Sequence, residues 1–260
     1  MPMTYGYVRY DFNHYINAST NADGWGIYLA WTTNDDFIDL YQITTGGEWE
    51  AAIHLTNSPD FSGLRAHGSE IYSEIKVFID NQYFDNPADI TELTGFDELR
   101  IFEKSKFYSP RDEVTEIADH YKEYIWKDNK LTINQKVVWL VNDTLTSSYL
   151  AMFPIAKAVT NQFVDRTGWK YKDISSGSPS YNSNDCTSVM LYGTELDHNI
   201  RAVFSILNYD AAGTQYKTFS LTDNGGGNYN KCYYHIKGNG TVNINEEWHT
   251  TTEYQFFINN

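Results

Sequence analysis

The segment Ile71-Tyr-Ser-Glu-Ile-Lys-Val-Phe-Ile79 decides the fold class of this chain. Its branched apolar residues alternate with polar or aromatic ones, which is the period of a β-strand. The alternation predicts two faces: one carries Ile71, Ser73, Ile75, Val77 and Ile79, and the other carries Tyr72, Glu74, Lys76 and Phe78. Asp80-Asn81 follows as a turn. The segment therefore predicts a half-buried strand that ends in a turn.

Similar runs recur along the chain and are separated by Gly, Ser, Asn and Asp. They predict strands near residues 5–12, 25–31, 37–43, 48–55, 98–102, 131–141, 148–155, 188–192, 200–208, 216–221, 229–236 and 253–258. A dozen or more strands in 260 residues predict an all-β protein, a two-sheet jelly-roll sandwich that forms a single domain over residues 1–260. The alternative is two packed β modules, residues 1–141 and 142–260.

One segment departs from the strand pattern. Ser109-Pro-Arg-Asp-Glu113 offers an N-cap serine, a proline at the first helical position and carboxylates in the first turn. Apolar residues then recur at helical spacing, at Val114, Ile117, Ala118, Tyr121 and Ile125. This pattern predicts one amphipathic helix near 110–126, whose apolar stripe covers an edge or an end of the sandwich.

The charge of the chain argues against two classes of partner. It carries 34 acidic and 19 basic residues, a formal net charge of −15. Nucleic acids and anionic membranes bind surfaces with a surplus of Lys and Arg, so neither is expected here. Residues 1–5 lack the charged and apolar regions of a secretory signal, which predicts synthesis in the cytoplasm. The two cysteines, Cys186 and Cys232, predict free thiols rather than a disulfide framework.

Aromatic residues make up 16% of the chain, and 21 of them are Tyr. Flat Tyr and Trp rings favour pleated, half-exposed surfaces and can stack on the apolar faces of sugars, while Asp and Asn nearby accept hydrogen bonds. The rings beside polar loops are the candidate ligand contacts: Trp25, Trp31, Tyr41, Trp49, Trp169, Tyr171, Tyr181 and Tyr209. The pattern favours a polysaccharide or cell-wall glycan as partner.

Four reactive side chains lie close together in the sequence. They are His54, His67, Glu70 and Tyr72, with Arg65 between them. A base to move a proton and a cation to stabilise developing negative charge are what a polysaccharide lyase or a glycoside hydrolase needs. Should the protein be an enzyme, these four residues are the predicted catalytic group.

Asp35, Asp36 and Asp39 form an oxygen-rich loop of the kind that binds calcium. The EF-hand pattern is missing, and turns rich in Asp and Asn also occur without any ion. The sequence predicts no other cofactor.

Three segments resemble known proteins. Trp139-Leu-Val-Asn-Asp-Thr-Leu-Thr-Ser-Ser-Tyr-Leu-Ala-Met-Phe-Pro-Ile155 and the ending over residues 231–254 resemble tail and adsorption proteins of phages and prophages of Gram-positive bacteria. His67-Gly-Ser-Glu-Ile-Tyr-Ser-Glu-Ile-Lys-Val-Phe-Ile-Asp80 is similar to a strand of concanavalin A-like, laminin G-like sandwiches. The resemblance covers under a third of the chain and implies a concanavalin A-like jelly roll in a virion, with glycan binding as its role. It carries no site residue across.

The leading interpretation is therefore a phage-type tail protein that recognises host-surface polysaccharide without cleaving it. Its expected partners are the glycan, other virion subunits and, in a homo-oligomer, further copies of itself. The first alternative is a jelly-roll polysaccharide lyase or glycoside hydrolase. The second is a structural virion component whose aromatic faces are buried against neighbouring subunits.

Overall fold

The structure is a computed structural model that describes residues 7–34, 36, 38–47, 49, 51–65, 67–85, 87–165, 170–173, 180–193, 199–211, 218–223, 228–236 and 238–259. In chain order its strands are β1 (Tyr7–Asn17), β2 (Ala22–Thr33), β3 (Asp39–Gln42), β4 (Ala52–Leu55), β5 (Glu70–Ile79), β6 (Gln82–Phe84), β7 (Glu98–Tyr108), β8 (Glu116–Lys127), β9 (Lys130–Trp139), β10 (Asp143–Ala156), β11 (Gln162–Asp165), β12 (Lys170–Asp173), β13 (Ser180–Ser183), β14 (Ser188–Tyr192), β15 (Asn199–Ala211), β16 (Thr218–Asp223), β17 (Tyr229–His235), β18 (Gly240–Val242) and β19 (Glu247–Asn259). Short 3₁₀ turns occur at Ala18–Thr20 and Pro87–Asp89.

The strands form two sheets. The large sheet has the order β1-β2-β5-β7-β8-β9-β19-β15-β14-β11-β12, with β3 paired to β2 and β6 paired to β5. The small sheet has the order β13-β16-β17-β10-β18, with β4 paired to β10. The prediction of an all-β sandwich is confirmed. Within the described residues, no helix is long and apolar enough to cross a lipid bilayer.

The core lies between the two sheets and is rich in aromatic rings. Phe153 of the small sheet lies 5.6 Å from Phe204 and 5.4 Å from Tyr254, ring centre to ring centre, and both partners belong to the large sheet. Trp49 joins this group from the segment before β4, 5.1 Å from Tyr254. Edge-to-face and tilted ring pairs of this kind stabilise a core beyond the area that they bury.

The two halves of the chain are joined in both sheets. β4, from the first half, pairs with β10, and β9 pairs with β19 at the end of the chain. The segment at Thr44 also pairs with Ile155 of β10. Residues on both sides of Asn142 therefore contribute strands to one core.

The predicted faces of β5 are partly wrong because the strand contains a bulge. The register with β7 shifts between Tyr72 and Glu74, so Ser73 is the extra residue. Tyr72 therefore pairs with Ser105 and lies on the inner face, whereas Ile71 pairs with Lys106 on the outer face. From Ile75 onward the predicted inner face is restored, with Val77 fully buried.

The predicted amphipathic helix at 110–126 is wrong. Its start forms a single turn, in which Glu113 N donates to Ser109 O at 2.7 Å. Asp112 then accepts hydrogen bonds from the backbone of Val114 and Thr115, and Glu113 has a φ of 58° that ends the turn. From Glu116 the chain continues as strand β8. Ser109 Oγ accepts a hydrogen bond from the backbone of Arg111, as an N-cap serine does, but no helix follows. The Asp112 side chain instead closes a hairpin turn between β7 and β8.

Charged side chains are buried on the inner face of the large sheet. Lys122 of β8 lies 3.1 Å from Glu70 of β5 and 3.3 Å from Glu103 of β7, and all three side chains are fully buried. Ser105 donates to Glu70 at 2.6 Å. Burial alone would raise the pKa of Glu70, but the nearby Lys122 and His120 lower it to about 2. We call Glu70, Glu103, His120 and Lys122 the buried ion cluster.

His120 connects this cluster to β9 and to the small sheet. Its Nδ1 lies 2.9 Å from Glu70 Oε1, and its Nε2 lies 3.0 Å from Gln135 Oε1. The Gln135 amide nitrogen donates to Leu150 O. The network therefore continues from Glu70 to the backbone of β10.

Removing one member of the buried ion cluster should strongly destabilise the protein. We expect Lys122→Met to lower the free energy of unfolding by about 3–5 kcal/mol, because two buried carboxylates lose their counterion. Lys104→Met is the matched control, since Lys104 lies on the outer face of β7 above Tyr121, and its expected effect is about 0.5 kcal/mol or less. Urea unfolding followed by circular dichroism measures both, and equal losses would contradict the assignment.

Candidate functional site

The four predicted catalytic residues do not form one site. Glu70 is fully buried in the ion cluster, where it hydrogen-bonds Ser105 and His120. Tyr72 lies on the same inner face, and its ring stands edge-on to His14 at 5.3 Å. His54 belongs to β4 of the small sheet, and His67 lies in the segment between β4 and β5. The predicted catalytic group is therefore divided between two sheets.

His54 and His67 do come together, around a ring that the sequence did not single out. Phe61 stacks on His54 at 4.6 Å, with an angle of 22° between the planes, and lies 5.0 Å from His67. Backbone bonds between Ile53 and Ser62 and between Gly63 and Gly68 fold this segment back on β4. His54 points away from the core because its neighbours Ile53 and Leu55 are fully buried.

The aromatic group continues across the outer face of the small sheet. Tyr149 of β10 lies 5.8 Å from Phe61, 4.7 Å from Tyr233 and 4.7 Å from His235. Tyr233 and His235 alternate on β17 with the buried Cys232 and Tyr234, which face the core. All six side chains are half-buried. We call His54, Phe61, His67, Tyr149, Tyr233 and His235 the ring row.

A shallow depression adjoins the ring row at His235. It is lined by Asn182, Thr218, Ser220, His235 and Gly238. Ser220 Oγ donates to Asn182 Oδ1 at 2.5 Å and lies 2.8 Å from His235 Nε2. The Ser220 hydroxyl has one proton, which it gives to Asn182, so His235 Nε2 carries the hydrogen of the second bond. The amide NH₂ of Asn182 and the Nδ1 lone pair of His235 remain as donor and acceptor groups.

His235 is uncharged at neutral pH. Burial lowers the pKa of His235 from 6.5 to about 4, because the partly desolvated site disfavours the charged imidazolium. Tyr209, below it, donates its hydroxyl to the His235 carbonyl at 2.7 Å and holds this part of β17 in place. The depression therefore offers neutral hydrogen-bonding groups at the end of an aromatic surface.

Of the predicted ligand-contacting rings on β2 and near it, Trp49 is buried, and Trp25 and Trp31 pack against side chains of β1. Trp49 is fully buried in the core, so it cannot contact a ligand from outside. Trp25 lies on the inner face, where His14 stacks on it at 4.7 Å. Arg9 lies 5.5 Å above the Trp31 ring.

The remaining predicted rings also lie outside the ring row. Tyr41 and Tyr181 are half-buried against the core, and Tyr209 packs under β17. Burial and the hydrogen bond to Asp165 raise the pKa of Tyr181 to about 12. Trp169 and the side chain of Tyr171 lie outside the described residues.

The alternation of residues within strands predicts the ring row, whereas the candidate ligand contacts were selected for lying beside loops. In β17 the outward residues Tyr229, Lys231, Tyr233 and His235 alternate with three inward residues. Tyr149 opposes His235 in the neighbouring strand. Mid-strand alternation, rather than proximity to a turn, places these rings on the surface.

Of the three aspartates predicted to bind calcium, the structure describes Asp36 and Asp39, and these two do not form a cation site. Asp39 Oδ2 lies 2.5 Å from Arg9 Nη1, so an arginine already neutralises this carboxylate. Asp36 is exposed, and Asp35 lies outside the described residues. Across the described chain, no group of three His, Cys, Asp or Glu side chains could hold a metal ion.

Comparison with known proteins shows similarity of fold. No protein-family model and no curated protein matches this chain. A GH36 α-galactosidase from Geobacillus stearothermophilus, solved with stachyose, superposes with a TM-score of 0.53 at 10% identity, over 98% of this chain and 40% of that one. A second GH36 α-galactosidase from the same organism gives 0.50 at 8% identity, over 98% and 41% of the two chains.

A protein from Synechocystis sp. PCC 6803 has a TM-score of 0.48 at 11% identity and covers 96% of both chains. The chain thus spans about 40% of the length of the galactosidases that it matches. These galactosidases contain a β-sandwich region of similar fold, in proteins that act on carbohydrate.

The buried state of His235 should appear in the pH dependence of stability. Its pKa is about 4 in the folded protein, below the ordinary 6.5 of a histidine in an unfolded chain, so between these values the unfolded chain binds more protons. The stability that His235 contributes is therefore present above pH 6.5 and is lost as the pH falls towards 4. We expect the wild type to lose about 1–2 kcal/mol more than His235→Gln between pH 7 and pH 4.5. Urea unfolding at both values tests this, and parallel losses would contradict it.

Proposed function

We propose that this protein binds carbohydrate through the ring row. The observation that carries the proposal is the continuous line of half-exposed rings on the small sheet, adjoining a depression of uncharged hydrogen-bonding groups. Sugars have apolar C–H faces that stack on rings, and hydroxyls that pair with amide, hydroxyl and imidazole groups. Concave, mostly apolar sites with a few placed polar groups are typical of small-molecule recognition.

The charge of the protein supports a carbohydrate over a polyanion. The net charge of −15 repels phosphate polymers at long range, whereas an uncharged polysaccharide is not affected by it. The side chains that line the depression are neutral near pH 7, since the low pKa of His235 keeps its ring uncharged.

We further propose that the protein is part of a phage tail or of another virion structure that adsorbs to the host. The resemblance of segments 139–155 and 231–254 to phage and prophage adsorption proteins supports it, as the 67–80 resemblance supports a concanavalin A-like jelly roll. In such a setting the protein is a homo-oligomer among other virion subunits. A shallow site binds one sugar segment weakly, and repetition on a virion makes the attachment firm.

We propose recognition without cleavage. The lyase or hydrolase alternative required His54, His67, Glu70 and Tyr72 at one groove, and Glu70 is sealed in the ion cluster on the other sheet. The experiment is a glycan array with the purified protein, read together with the release of reducing or unsaturated sugar ends over time. Binding without turnover is expected, whereas turnover would favour the enzyme alternative.

Truncating a ring of the row should weaken glycan binding. We expect Tyr233→Ala and Tyr149→Ala to reduce affinity by about tenfold or more, because each removes a stacking surface near the centre of the site. Tyr121→Ala is the matched control, since Tyr121 is also a half-buried strand tyrosine but lies on the outer face of the large sheet. Isothermal titration with the best polysaccharide from the array measures the affinities of the wild type and the three variants.

Equal affinity in all four proteins would show that the ring row is not the binding surface. Absence of binding by the wild type to every glycan on the array would instead reject carbohydrate recognition. In that case the structural alternative predicts that the row is buried between copies, so the protein would be oligomeric and the ring-row variants would dissociate.

A further inference from the structure

We infer that the ring row takes an internal stretch of a linear glycan, several sugar units long, which lies across the strands of the small sheet. The depression anchors one unit by hydrogen bonds, and the Phe61 end stacks on a unit further along the chain. This inference rests on the proposed function, because it specifies which form of carbohydrate the same surface accepts.

The strand order sets the length of the site. From Asn182 on β13 to His54 on β4, the outer face spans five neighbouring strands. Neighbouring strands lie about 4.8 Å apart, so the span is roughly 19 Å. A single sugar covers only part of that length, and an oligosaccharide is needed to cover all of it.

The direction of the row follows from the strand order. Asn182 belongs to β13, Ser220 to β16, Tyr233 and His235 to β17, Tyr149 to β10 and His54 to β4, in the spatial order of the small sheet. The cross-strand pairs Asn182–Ser220, Ser220–Tyr233 and His235–Tyr149 place these side chains on the same face. The depression and the ring row together thus cross five neighbouring strands, from the polar end to the aromatic end.

The two ends of the row differ in chemistry. The end at β13 has amide, hydroxyl and imidazole groups, already joined in the Asn182–Ser220–His235 chain of hydrogen bonds. Such a fixed network selects sugars by the position of their hydroxyls, because a misplaced hydroxyl leaves buried polar groups without a hydrogen bond and weakens binding. The Phe61 end offers the stacked rings of Phe61 and His54. Specificity should come from the first end and additional affinity from the second.

Within the described residues, both ends of the row reach exposed side chains. Asn182 at the polar end is exposed, and so is Asp60, next to Phe61 at the aromatic end. A glycan that follows the row can therefore continue beyond it in both directions. This arrangement fits recognition within a long surface polysaccharide rather than capture of a chain terminus.

Affinity as a function of oligosaccharide length tests the inference. The probes are oligosaccharides of one to six units prepared from the polysaccharide with the highest array signal, titrated calorimetrically against the full chain. We expect affinity to rise by about tenfold or more from one unit to four and then to level off. Equal affinity for one unit and for four would overturn the inference.

Two variants separate the ends of the site. Asn182→Ala should weaken one-unit and four-unit probes by the same factor, because the anchor contacts both. Phe61→Ala should weaken the four-unit probe severalfold and leave the one-unit probe unchanged. Loss of the same factor for both probes in Phe61→Ala would overturn the assignment of an extension end.

Separate controls test whether each variant folds and whether the wild type binds glycan at all. Thermal unfolding checks each variant, and Phe61→Leu keeps apolar volume but removes the aromatic face if the alanine variant does not fold. Failure of the wild type to bind any glycan would reject the proposed function itself. Binding that is independent of length would reject this inference alone.

Discussion

The buried ion cluster is the interaction on which the geometry of this sandwich depends. Four ionisable side chains, Glu70, Glu103, His120 and Lys122, are fully buried on the inner face of β5, β7 and β8. A buried charge is tolerated only where its counterions and hydrogen bonds are in place. The cluster therefore fixes which residues of these strands oppose one another. A slip by one residue would expose Lys122 and bury Tyr121.

The same cluster connects the rest of the molecule. Glu103 Oε1 lies 3.3 Å from the backbone nitrogen of Trp25, so it reaches β2, where a side chain at Gly24 would approach that oxygen to 3.1 Å. On the other side, His120 contacts Gln135 of β9, which donates to Leu150 of the small sheet. One network thus links β2 of the large sheet to β10, the strand that carries Tyr149 of the ring row.

This cluster also explains which parts of the fold the sequence could predict. Strands with apolar inner faces, such as β5 after Ile75 and β9, were recognised because apolar residues alternated. β8 was mistaken for a helix because two of its inner residues are His120 and Lys122, which hid the period of two. Their burial depends on Glu70 and Glu103, at least 19 residues away in the sequence, and no local pattern can show that. The bulge at Ser73 could not be predicted from local sequence either, because it is defined only by the pairing of β5 with β7.

The sequence predicted the candidate site only in part, as it did the fold. His54 and His67 lie together as their sequence spacing indicated, whereas Glu70 and Tyr72 were separated from them when the chain crossed from the small to the large sheet between Leu55 and Glu70. The outer faces of the two sheets differ in their side chains. Cross-strand ion pairs lie on the outer face of the large sheet, as between Lys136 and Glu247 at 2.8 Å and Lys130 and Glu253 at 3.1 Å.

Such solvated pairs stabilise a sheet little and satisfy their own charges, so they leave few groups for a ligand. The small sheet instead presents rings and neutral polar groups on its outer face. Half-exposed rings leave apolar area uncovered, and contiguous exposed apolar surface is typical of interaction sites. The line of rings beside a polar depression is therefore the reason that we propose recognition on the small sheet, independent of the fold that this chain shares with galactosidases.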